Sequence, residues 1–292
     1  MRIKRLFALT VFAGLVMLAS CEKEPLQISS ALPMQVQPSI FGEDSKAAFK
    51  SEDLVDFYLR IKSADAEYSY FEKFTKDVND NWESPDRLFW KNSTDPVHYS
   101  AALFGNHVFT EEEFDNGVAL SIAANQSSQA RMNATHLLTL KSTETTYNAT
   151  KNGKLPVTLS HGLAHVNIEF TLSENFYHYG IGVLSNPISG VRIKGSNLGF
   201  EFQPLAGTVS VIDGTKADIT PLFSSFSRSS EYVKSSKAIY EALLVPQRIA
   251  PGELTIVFSI SGSEFVWTNQ DAITLDSGKV QTLAVSVNGA LL

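Results

Sequence analysis

From Val55 the chain alternates apolar and polar positions, with Val55, Phe57, Leu59 and Ile61 on one side and Asp56, Tyr58, Arg60 and Lys62 on the other. Successive side chains in a strand point to opposite faces, so this period of two predicts a half-buried strand. The pattern returns at Leu254, Ile256, Phe258 and Ile260 and again at Leu283, Val285 and Val287. Antiparallel sheets with one covered face produce it. Between Leu155 and Leu172 the alternation shifts phase, from Leu155, Val157, Leu159 and Leu163 to Val166, Ile168, Phe170 and Leu172, which predicts a bulge or short turn near residues 162–165. Turn pairs punctuate the chain at Asn152-Gly153, Asn186-Pro187, Asp213-Gly214, Pro251-Gly252 and Ser277-Gly278, and long amphipathic helices are scarce. The expected fold class is therefore all-β. Polar stretches at residues 125–132, 142–154 and 224–236 read as long surface loops. The pattern breaks after Leu172, which sets the expected boundary between two domains, 21–172 and 173–292.

Residues 1–20 carry Arg2, Lys4 and Arg5, then an apolar run over 6–18, then small residues, the order of a secretory signal. The run is too short to span a bilayer, which takes about 20 apolar residues, and Glu22, Lys23 and Glu24 follow at once. Leu18-Ala19-Ser20-Cys21 looks like a bacterial lipobox, and Cys21 is the only cysteine, so an intrachain disulfide is excluded and lipidation of Cys21 is expected. Several acyl chains on that thiol would anchor the chain stably to the outer membrane, each buried methylene contributing about 0.8 kcal/mol. Removing residues 1–20 takes three of the 24 Lys and Arg and none of the 31 Asp and Glu, moving the formal net charge from -7 to -10. An acidic chain with dispersed basic residues argues against nucleic acid as a partner.

No residue pattern points to catalysis, a cofactor or a metal. His161 and His165 form an H-x-x-x-H pair, but Gly162 stands where a zinc protease has Glu, no third ligand is evident, and the flanking alternation says strand. Both histidines read as structural. Glu111, Glu112, Glu113 and Asp115 lack calcium-loop spacing and read as a solvated loop. Gly180 and Gly182 have no third glycine in register, and no nucleophile elbow is present. Asn92, Asn133 and Asn148 open sequons that read as loop composition. Tyr68, Tyr70, Phe71 and Phe74, and separately Tyr177 and Tyr179, are grouped aromatics that could hold a sugar or protein ligand, although alternation buries about half of them.

The lipobox, Asp44-Ser45-Lys46-Ala47 ahead of the Val55 strand, and Trp82 and Trp90 around a polar stretch occur in a recognisable order. Pro156-Val157-Thr158-Leu159-Ser160-His161-Gly162-Leu163-Ala164-His165-Val166, Val245-Pro246-Gln247 and Leu275-Asp276-Ser277-Gly278-Lys279-Val280 complete it. In that order and spacing the chain resembles the fimbrillin family of lipoprotein pilins and its Mfa-like relatives over nearly its whole length. The resemblance implies two consecutive transthyretin-like β-sandwich domains after a lipoprotein signal peptide. It implies a non-enzymatic subunit of a bacterial fimbria at the cell surface, whose partners are other fimbrial subunits or copies of itself. It also implies that a protease cuts after a basic residue and releases an N-terminal strand, here one containing Met34 and Val36, so that a strand from a neighbour can take its place. Lys46 stands where the family's best-known subunits have Arg, and Lys50 is a second candidate. The donor segment would lie at Val280, Leu283, Val285 and Val287, which read equally as an ordinary last strand. The short tail beyond suits an accessory tip or anchor subunit better than a stalk subunit. The competing reading is a surface lipoprotein that binds carbohydrate or a host protein without polymerising.

Overall fold

The strand Ala164–Leu172 buries every second residue, Ala164, Val166, Ile168, Phe170 and Leu172, and leaves the residues between them half-buried, as its period of two requires. It lies within a computed structural model that describes residues 32–41, 53–173, 185–227 and 235–287. In chain order the strands are β1 (Leu32–Pro33), β2 (Gln35–Ile40), β3 (Asp56–Ser63), β4 (Tyr70–Lys76), β5 (Trp82–Glu83), β6 (Phe89–Trp90) and β7 (Val97–Phe104). They continue as β8 (Val118–Ser121), β9 (Leu137–Thr145), β10 (Lys154–His161), β11 (Ala164–Leu172), β12 (Ile188–Lys194), β13 (Gly199–Gln203) and β14 (Thr208–Val211). The rest are β15 (Leu222–Ser227), β16 (Ser236–Leu244), β17 (Gln247–Ile249), β18 (Thr255–Ile260), β19 (Ser263–Thr268), β20 (Ile273–Leu275) and β21 (Val280–Val287). Helices α1 (Glu111–Asn116) and α2 (Gln129–Asn133) are short, and the protein is all-β.

A seven-stranded sheet runs β2-β10-β9-β7-β3-β4-β5, and a four-stranded sheet runs β15-β16-β11-β21. The four-stranded sheet faces β12-β18-β19 as one sandwich, with the Phe170 and Phe258 rings edge to face at 4.8 Å. One face of the seven-stranded sheet packs Phe57, Leu59, Ile61, Leu155, Val157 and Leu159 around Trp90. Trp90 is fully buried and its indole N–H donates to the Gly153 carbonyl at 3.1 Å. That carbonyl is presented by a turn in which Asn152 (φ 57°) and Gly153 (φ 72°) are both left-handed, the geometry the Asn-Gly pair predicts.

β3 corrects the expectation of a half-buried strand. Tyr58 and Arg60, on the side expected to face water, are 5% and 8% exposed, because α1 and the β14-β13-β8 sheet cover that face. Of the two expectations for the phase change near Gly162, a bulge or a short turn, the structure shows the short turn. The chain leaves the seven-stranded sheet after His161 and enters the four-stranded sheet at Ala164, and a two-residue step rephases the alternation. Residues 125–132 are not a surface loop throughout either, since α2 forms there and Met132 and Gln126 are buried.

β11, which ends at the expected domain boundary, pairs along its whole length with β16 and from His165 to Leu172 with β21 of the C-terminal half. In the other direction β8 of the N-terminal half pairs with β13, and one core cluster runs from Tyr58 and Phe104 through Val287. Gln126 joins the halves too. β15 stops opposite Glu241, and beyond it the Gln126 amide donates to the Leu243 carbonyl at 2.9 Å and accepts from the Leu243 N–H at 2.8 Å, standing in for a missing strand residue. Replacing Gln126 with Ala leaves both buried Leu243 groups unpaired, and we expect a loss of about 3 kcal/mol, read as a lower urea midpoint.

Candidate functional site

The N-terminal segment is the geometrically distinctive part of the molecule. β1 runs antiparallel to β6, Met34 N–H donates to the Leu88 carbonyl at 2.9 Å, and β2 then runs parallel to β10 as the outer strand of the seven-stranded sheet. The register pairs Gln35 with Lys154 through to Ile40 with Leu159, and β9 pairs with β10 only at Ser160 and His161. Residues 154–159 of β10 therefore take their strand ladder from β2. Met34 and Ile40 are buried in the core around Trp90, and Leu32 and Val36 pack against it. A parallel strand at an edge, reached across a sequence separation of 119 residues, is held by nothing local, so its loss opens a backbone edge and an apolar groove together.

The C-terminal strand repeats this arrangement. β21 runs parallel to β11 at the edge of the four-stranded sheet, from Val280 opposite His165 to Val287 opposite Leu172. Leu283, Val285 and Val287 point into the core, while Val280 is 61% exposed. The turn before it relies on Gly278 (φ 67°), whose N–H donates to the Leu163 carbonyl at 3.0 Å and where a Cβ would come within 3.0 Å of the His161 carbonyl oxygen. Cys21, Lys46 and Lys50 lie outside the described residues, as do Tyr177 and Tyr179.

The remaining candidates have structural surroundings. His136, buried at the end of the three-residue step from α2 into β9, sits with Nε2 2.6 Å from Nδ1 of His161, and His165 Nε2 lies 3.3 Å from a Glu241 carboxylate oxygen. Burial, and then the neighbouring charges of His161 and His165, hold His136 well below its ordinary pKa. His165 is the main cause of a lowered pKa at Glu241, with burial opposing it. Among the described residues no three His, Cys, Asp or Glu side chains are grouped to hold a metal ion. The acidic run is a helix and not the expected loop: Thr110 and Glu113 form a capping box, Glu111 lies 2.7 Å from the Arg60 guanidinium, and Asp115 pairs with Arg60 and Lys62. Tyr70, Phe71 and Phe74 pack into the interior, Phe71 against Tyr58 and Phe114 and Phe74 against Phe57. The Asn92 side chain accepts from the Thr94 and Asp95 N–H groups, a loop role. No sequence signal pointed to the His136 to His161 contact or to Gln126, since each depends on which strands become neighbours.

The fimbrillin-like family profile matches residues 45–292. The chain belongs to the fimbrillin-like family. No protein of curated function matches it by sequence. Among solved structures, a candidate cell adhesion protein from Bacteroides ovatus superposes with a TM-score of 0.59 at 13% identity, over 88% of this chain and 92% of that one. A candidate cell adhesion protein from Bacteroides uniformis gives 0.57 at 14% identity, over 89% and 95%. At such identities these likenesses speak for the fold alone. Family membership makes this fimbrillin-like protein a structural, non-enzymatic chain of the cell surface, associated with fimbriae or adhesion. No helix among the described residues is long and apolar enough to cross a membrane.

Proposed function

We propose that this fimbrillin-like chain is a structural or accessory subunit, at the tip or anchor, of a bacterial fimbria, that it assembles by protease-triggered strand exchange, and that it mediates surface adhesion. Acylated Cys21 holds it to the outer membrane. The observation that carries the reading is the β2–β10 pair, in which residues 154–159 depend for their ladder on a parallel edge strand that lies just upstream of Lys46 and Lys50. Cleavage there frees β1 and β2 to leave, and an incoming strand regains both the backbone pairing and the buried side chains. β21 has the features such a replacement needs, since it is extended, pairs in parallel and alternates outward with inward residues, as β2 does. The two expected domains, 21–172 and 173–292, then correspond to an accepting and a donating half, linked by β11, the last strand of the first, which pairs with β16 and β21 of the second.

Limited trypsin digestion of the purified chain, with N-terminal sequencing and size analysis, tests this. The expected result is a selective cut after Lys46 or Lys50 followed by a ladder of oligomers. A chain that is cut there and stays monomeric sinks the exchange mechanism. The second reading, ligand binding by a chain that does not polymerise, is favoured by one observation, namely that β21 is paired over all eight residues within its own chain.

A further inference from the structure

The two outer strands of the seven-stranded sheet, β2 and β5, line opposite sides of one cleft of about 690 Å³. Its volume falls within the roughly 300–1,000 Å³ of small-molecule sites. The Trp82 indole lines it, braced edge to face on Phe57 at 5.2 Å, and the indole N–H makes no hydrogen bond among the described residues. Glu83, Asp86 and Arg87 line the same cleft, and their charged groups form no ion pair among the described residues. Met34 and Val36 form the opposite wall. An aromatic plane bordered by carboxylates and a guanidinium suits a molecule with an apolar C–H face and hydroxyl groups around its rim. Each hydroxyl of a vicinal pair can donate to a carboxylate and accept from Arg87.

We propose that this cleft binds a neutral oligosaccharide, stacked on Trp82 and hydrogen-bonded by Glu83, Asp86 and Arg87. An acidic sugar is disfavoured because two carboxylates outnumber the one guanidinium at the rim. An extended peptide is disfavoured because β5 offers a ladder of only two residues before Ser84 and Pro85. The proposal deepens the adhesion part of the function proposed above and gives it a further property. One wall of the cleft belongs to the exchangeable N-terminal segment, so ligand binding reports whether that segment is in place.

Isothermal titration calorimetry of the purified chain with hexasaccharides of mannose, glucose, xylose and N-acetylglucosamine tests it, with hexagalacturonic acid as the anionic counterpart. At least one neutral hexasaccharide is expected to saturate below about 5 mM, and the acidic one to bind at least about tenfold more weakly. Trp82→Ala removes binding. Because that change also loosens Phe57, Glu83→Ala and Arg87→Ala at exposed positions provide the control, each weakening binding about tenfold with an unchanged urea midpoint. No saturation by any neutral hexasaccharide, tighter binding of the acidic one, or binding that survives both Trp82→Ala and Arg87→Ala overturns the proposal. A chain that binds sugar but stays monomeric after tryptic cleavage overturns strand exchange and leaves the cleft. One that assembles but binds no sugar does the reverse.

Discussion

Deletion of residues 32–41 is expected to remove most of the stability of the N-terminal half. The segment contributes the buried side chains of Met34 and Ile40 and the partly buried Leu32 and Val36, each at about 1.5–3 kcal/mol when fully buried, or about 6 kcal/mol together. Its departure also exposes Leu155, Val157 and Leu159, which are fully buried, and strips the backbone ladder from residues 154–159. A typical domain is stable by only about 5–15 kcal/mol, so a loss of this size is comparable with the whole. Thermal melts followed by circular dichroism should show the first transition lowered by about 15 °C or more. A synthetic peptide of residues 32–41 added in trans should restore it. A peptide of residues 280–287 that restores it equally well would make β21 a competent donor, and a melting curve unchanged by the deletion would mean that the segment does not close the core.

Acid should destabilise the protein before its carboxylates begin to titrate. His136 is buried and neutral in the fold, with a pKa held below its ordinary value by burial and by His161 and His165, whereas in the unfolded chain it returns to about 6.5. As pH falls the unfolded state takes up that proton first. The contribution is therefore complete above about pH 6.5 and is lost below it, at about 1.4 kcal/mol per pH unit for one proton, until the folded-state pKa is reached. His161 and His165 act on His136, and Glu241 pairs with His165. Glu241, Asp115 and Glu113 have lowered pKa values, so their contributions are present above about pH 4.3 and disappear only below it, which separates the two windows. Urea midpoints measured at pH 8, 7, 6 and 5 should fall between 7 and 5, and His136→Gln should flatten that slope. A wild-type midpoint that stays constant over this range would contradict the account.

Periodicity alone foresaw the inward faces of β10, β11, β18 and β21, down to Leu155, Val166, Phe258 and Val285, because alternation of side chains across a strand is local geometry that any sheet must obey. The Asn152-Gly153 turn was legible for the same reason, since its left-handed backbone is a property of two adjacent residues. What covers the second face of a strand is not local. Tyr58 and Arg60 read as solvent-facing until α1 and β13 pack over them, whereas the helix in the acidic run has a local signal, the Thr110 and Glu113 capping box, and only its pairing with Arg60 and Lys62 is long-range. Nor does alternation say which strands pair or in which direction. The parallel partners of β10 and β11 come from opposite ends of the chain, the His136 and His161 rings meet where two sheets join, and the Trp82 cleft exists because two edges of one sheet approach each other. Those features follow from closure of the backbone between residues from 25 to 119 positions apart, whose energy leaves no mark on any short stretch of the chain.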